Sequence, residues 1–82
     1  MENLNEYKSK DFYISCILLA SKKLVLKRLE KKSDKIVTFI FEDPNNLANE
    51  IIKSHWGREN RVISLDLIEA INQLKTRIHN GI

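Results

Sequence analysis

Residues 36–43, IVTFIFED, constrain this chain more than any other stretch. The run is rich in β-branched and aromatic residues and reads as a strand. In a strand, alternate side chains point to opposite faces. Val37, Phe39 and Phe41 therefore share one face, and Ile36, Thr38 and Ile40 share the other. Both faces are largely apolar, so the strand is central in its sheet or is covered by helices on each side.

Its partner is expected just upstream. Residues 24–31 read as a second strand, with Leu24 and Leu26 on one face and Val25 and Leu29 on the other beside Lys27 and Lys31. The connection KKSDK contains Ser33 and Asp34, which favour turns, so the two strands form an antiparallel hairpin. The same region concentrates charge. Residues 21–35 carry seven cations, Lys22, Lys23, Lys27, Arg28, Lys31, Lys32 and Lys35, against Glu30 and Asp34, whereas the whole chain is only +3.

Three helices are expected around the hairpin. In residues 9–20, SKDFYISCILLA, Ser9 is a candidate N-cap and Asp11 falls in the first turn, where the helix dipole favours an anion. Phe12, Cys16 and Leu19 then share a face, flanked by Tyr13, Ile17 and Ala20, so the helix needs cover on more than one side. A buried first strand is the alternative reading of this segment. Residues 43–57 read as a helix with Asp43 as N-cap, Pro44 in the first helical position, Leu47, Ile51 and Ile52 inside with Ala48 beside them, and Gly57 as the stop. Arg61, Val62 and Ile63 are expected to add a short third strand. A last helix follows, with Ser64 as N-cap, Ile63 stapled to Ile68, a stripe of Leu67, Ile71, Leu74 and Ile78, cations in the last turn and Asn80-Gly81 closing it. Residues 1–8 lack a sustained period and read as a flexible tail, or as an arm that orders on a partner; residues 9–82 read as one small α+β domain.

At 82 residues, a domain buries only about 60% of its unfolded surface, so self-association is expected to complete its small core. Two glycines and one proline argue against a disordered or collagen-like chain. The longest apolar run, residues 16–20, is far short of the ~20 residues that span a bilayer. MENLNEYKSK lacks the apolar stretch of a signal peptide. A single cysteine, Cys16, cannot form an internal disulfide and fits a reducing cytoplasm. The expected location is cytoplasmic, with no membrane partner.

Residues able to carry catalysis are sparse. Cys16 lies in an apolar run, where a thiol behaves as a small hydrophobe with a raised pKa. His55 and His79 have no further His or Cys at ligand spacing, and zinc needs three or four protein ligands. Glu42 and Asp43 point to opposite faces of an extended strand. Gly57 and Gly81 both read as helix stops rather than parts of a phosphate-binding loop. The expectation is a non-enzymatic protein with no catalytic residues, no metal, no cofactor and no small-molecule substrate.

Two features point toward binding instead. The basic hairpin is either a solvated edge strand protected by lysines or a surface that follows a nucleic-acid backbone through charge. Trp56 ends a helix beside Arg58 and Arg61. It is either a core-edge residue closing that helix on the sheet or an exposed interface anchor or stacking platform. Nucleic-acid binding through Lys22, Lys23, Lys27, Arg28, Lys31, Lys32, Lys35, Arg58 and Arg61 is the first functional expectation. The alternative is a protein-interaction module, either a homodimer or a small subunit of a larger complex, with Trp56 at its interface.

Four motifs carry a family resemblance: Lys-Asp-Phe-Tyr at 10–13, Leu-Leu-Ala-Ser at 18–21, Phe-Ile-Phe-Glu-Asp at 39–43 and Leu-Lys at 74–75. With them the chain resembles an uncharacterised family of short bacterial and phage proteins, a domain of unknown function, over about residues 9–79. The resemblance implies a bacterial or mobile-element setting and no activity. Members of that family often carry Gly after the Ala-Ser; here the position is Lys22, which removes the expected glycine C-cap from the first helix.

Overall fold

The computed structural model describes residues 6–33 and 36–80. Its elements run β1 (Glu6–Ser9), α1 (Phe12–Ala20), β2 (Val25–Lys31), β3 (Val37–Glu42), α2 (Ala48–Trp56) and α3 (Ser64–His79). The protein is an α+β domain with a three-stranded antiparallel sheet in the order β1-β3-β2. The two-sided apolar strand is thus the central one, the first of the two arrangements its sequence allows. Residues 6–8, expected in a tail, instead form an edge strand, with Tyr7 opposite Phe41 and Ser9 opposite Phe39. Periodicity cannot reveal a four-residue polar strand; β3 recruits it because its second edge needs a hydrogen-bonding partner.

Phe39 and Phe41 face the helices and join Leu29, Ile14, Cys16, Leu18, Ile51 and Leu74 in one core. β2 contributes to that face through Leu26 and Leu29, which lie opposite Phe41 and Phe39. Simple alternation would put these two leucines on opposite faces. A bulge between Leu26 and Arg28 corrects the phase by leaving Lys27 as the extra residue.

α1 is the helix expected for residues 9–20, but its cap differs. Asp11, not Ser9, is the N-cap, and its Oδ1 accepts from the Ile14 N–H at 2.9 Å. Buried Ser9 remains in β1, where its hydroxyl accepts from Ser15 Oγ at 2.9 Å and ties the strand to the helix. α1 packs on α3, α2 and β1, which is the cover that its apolar circumference requires.

α2 starts five residues later than Asp43. Asp43, Pro44, Asn45 and Asn46 form a turn closed by Asn46 N–H to Asp43 O at 3.2 Å, and Asn46 takes a left-handed φ of 59°. Proline at the second turn position fits this geometry as well as it fits a first helical turn. Asp43 still organises the helix start: its carboxylate accepts from the N–H groups of Leu47 at 2.7 Å and Ala48 at 2.9 Å. Arg61, Val62 and Ile63 pair with no strand. Ile63 rather than Ser64 caps α3. Leu74 is fully buried in the core, with Leu67, Ile71 and Ile78 packed against it, so the stripe expected of α3 does face inward.

Candidate functional site

The cations expected to act together are divided among three places. The first is the open face of the sheet, away from the helices. The Glu6 carboxylate on β1 spans β3 to meet Lys27 Nζ at 2.6 Å and Arg28 Nη1 at 3.2 Å, and Arg28 Nε reaches Glu30 at 3.1 Å. Ile40 lies on this face opposite both Lys8 and Arg28 and is fully buried there; the long charged side chains cover it with their aliphatic stems. The Glu6 side chain keeps only 6% of its exposure. Its carboxyl is held below the usual range, first by the Lys27 hydrogen bond and then by Arg28, against the opposing effect of desolvation. Arg28 is raised in turn by Glu6 and Glu30. Lys27 and Arg28 are thus ion-paired with Glu6 and Glu30 on this face. A phosphate backbone rewards uncompensated cations, so Lys27 and Arg28 do not form the free basic strip expected of them.

The second place is the far end of the hairpin. Lys31 and Lys32 are exposed there, where Lys32 N–H donates to Ile36 O at 2.9 Å. Lys35 lies outside the described residues. The intervening β2 strand sets this tip roughly 20 Å from Lys22 and Lys23, at about 3.3 Å per residue.

The third place is the end of the domain where α1 and α2 stop and α3 begins. A groove of about 210 Å³ brings Lys22 against Arg61, Ile63 and Asp66. A second, of about 230 Å³, brings Lys23 against Ser54 and Asn60. Lys22, Lys23, Arg58 and Arg61 therefore share one end with the last turn of α2. Lys22 also approaches Asp66 at 4.0 Å.

Two of these cations hold unusual backbone conformations. Lys22, just past the end of α1, has φ 63°, and Arg58, just past the end of α2, has φ 62°. At α2 the pattern is a Schellman motif: Arg58 N–H donates to His55 O at 3.0 Å and Glu59 N–H to Ser54 O at 2.8 Å. Gly57, the expected stop, has an ordinary φ of −80°; the left-handed position falls one residue later. At α1, Lys22 N–H donates to Leu19 O at 3.3 Å. Ser21 Oγ donates to Leu18 O at 2.6 Å and accepts from Lys23 N–H at 3.2 Å. Lys22 thus adopts the geometry that a glycine at its position would supply.

Trp56 is 70% exposed and sits edge-on to His55, with ring centroids 5.0 Å apart. It is not the core-edge residue that its size favours. Ala48 and Ile51 form the buried stripe of α2, His55 follows Ile51 by one turn, and Trp56 lies about 100° further round at 3.6 residues per turn. Ile63, Leu65 and Ile68 are 69%, 61% and 54% exposed, so Ile63 and Ile68 do not make a buried staple. Leu65 falls off the 67-71-74-78 stripe, and that offset is the signal in the sequence for its outward position.

Cys16 is 1% exposed, and desolvation pushes its thiol up to about 11 despite the opposing charge of Lys75. Among the described residues, no three His, Cys, Asp or Glu side chains gather as metal ligands. No described helix is long and apolar enough to cross a membrane. Comparison of the chain with protein-family models, curated proteins and solved structures finds no match.

Proposed function

We propose that this protein is a non-enzymatic interaction module whose contact surface is the end bearing Trp56, Ile63, Leu65 and Ile68. The observation that carries this reading is the exposure of those four large apolar side chains at one end of the domain; the other large apolar residues left exposed, Tyr13, Val25 and Ile36, lie on α1, on β2 and just before β3. Singly exposed apolar residues are ordinary, but a cluster marks a contact site. Ile63, Leu65 and Ile68 are such a cluster: Leu65 and Ile68 are one helical turn apart and Ile63 adjoins them at the cap. Tryptophan and arginine are the residue types that most often dominate binding energy. The partner is a second copy of this chain or a larger protein of a bacterial or phage complex, the setting that the sequence resemblance implies, and the lone buried thiol suits the cytoplasm. The ion pairing of Lys27 and Arg28 with Glu6 and Glu30 weighs against the hairpin as a nucleic-acid surface.

The test is a nuclease-treated pull-down from the producing organism, with the parent chain and an Ile63→Ser/Leu65→Ser/Ile68→Ser variant in parallel. A stoichiometric protein, or a second copy of the chain itself, that survives nuclease and is lost with the variant supports the reading. Recovery of nucleic acid alone, retained equally by the variant, overturns it.

A further inference from the structure

Building on that reading, we propose that Lys22 and Arg58 are binding residues that meet carboxylates of an acidic, apolar partner segment. Both stand at the left-handed position after a helix, with φ of 63° and 62°. Glycine adopts this conformation freely, whereas a residue with a Cβ is strained in it. At α2 a glycine is present one residue too early to relieve the strain. Two independent helix ends therefore carry an exposed cation where local stability favours glycine, and both belong to the end that exposes the apolar cluster. Backbone strain of this kind persists where another requirement offsets it.

The charge around the cluster indicates what that requirement is. Lys22, Lys23 and Arg61 surround the two grooves, and Lys53 and Arg58 flank Trp56; Glu50, Glu59, Asp66 and Glu69 oppose these five cations, and Asp66 already faces Lys22. The surplus is positive, so the complementary surface is negative. The aliphatic side chains beside it call for apolar groups as well. A segment that interleaves Asp or Glu with Leu, Ile or aromatic residues satisfies both, and neither a nucleic-acid backbone nor a simple polyanion uses three exposed aliphatic side chains.

The experiment is a selection of random displayed 16-residue peptides on the immobilised parent chain. Affinities of the enriched peptides are then measured on the parent, on Lys22→Gly/Arg58→Gly and on Leu65→Ser/Ile68→Ser. Enriched peptides are expected to combine carboxylates with large apolar residues. They are expected to bind the double-glycine variant at least fivefold more weakly, even though its Tm rises by roughly 3–6 °C through relief of backbone strain. Enrichment without acidic residues, no enrichment, or unchanged affinity for the glycine variant overturns the proposal. Unchanged affinity there with loss in Leu65→Ser/Ile68→Ser overturns it while leaving the interaction reading intact. Tighter binding of oligo-dT or of phosphatidylglycerol vesicles than of any selected peptide, sensitive to the same two cations, overturns both.

Discussion

Replacing Asp43 tests how the chain positions the end that carries Trp56. The Asp43 side chain is buried, and its two carboxylate oxygens serve different donors: Oδ1 accepts from Leu47 N–H at 2.7 Å and Oδ2 from Ala48 N–H at 2.9 Å. Together they hold the start of α2 against the end of β3. Hydrogen bonds to a charged group contribute about 1.5–3 kcal/mol each, and loss of a helix-capping side chain costs about 0.5–2 kcal/mol. The two sets of values describe overlapping contacts, so Asp43→Ala is expected to cost roughly 2–4 kcal/mol. A domain of this size has a total stability on the order of 4–12 kcal/mol, so the change removes a large share. Asp43→Asn retains one acceptor oxygen but turns a donor toward the second N–H, and is expected to cost roughly 1–2 kcal/mol. Urea unfolding followed by the fluorescence of Trp56 and by circular dichroism measures both. A loss below about 0.5 kcal/mol for Asp43→Ala, or equal losses for the two variants, would refute the assigned role of this carboxylate.

Three further predictions follow from single sites. Thr38 Oγ1 is buried with no hydrogen-bond partner, so Thr38→Val is expected to raise stability by about 1 kcal/mol in urea titration; destabilisation would contradict it. Cys16 is expected to react with a thiol reagent only as fast as the protein unfolds, because the thiol is buried with its pKa near 11; rapid labelling of the native chain would contradict this. Glu6 has a folded-state pKa below its usual value of 4.5, so the stability it contributes is present above that value and is lost as pH falls through the lowered one. Glu6→Gln is expected to flatten the acid limb of the stability profile while leaving the rest of it in shape, and an unchanged acid limb would refute the Glu6–Lys27–Arg28 link.

Much of the fold was legible because the elements with strong patterns keep them. β3 had to be either central or covered on both sides, α3 carried an unambiguous stripe, and the helix of residues 9–20 survived the absence of a glycine after it because Lys22 takes the left-handed conformation and Ser21 supplies the missing hydrogen bonds. What escaped was set by tertiary context. β1 is four polar residues long and exists because β3 has an unpaired edge. The bulge at Lys27 reverses the phase of Leu29, and strict alternation has no means of announcing it. The basic stretch was visible as composition, but the pairing of Lys27 and Arg28 depends on Glu6, which lies 21 residues before Lys27. Trp56 was ambiguous because it ends α2 one residue past the Ala48–Ile51–His55 line, so its burial depends on whether another element covers the adjoining side of the helix, and it is left 70% exposed.

The most direct test of the account is site-specific photo-cross-linking in the producing cell, with a photoreactive residue in place of Leu65 in one strain and of Lys32 in another. The interaction reading predicts a discrete protein adduct, or a cross-linked second copy of this chain, from position 65, and no nucleic-acid adduct from position 32. A nucleic-acid adduct at position 32 with nothing captured at position 65 would contradict it.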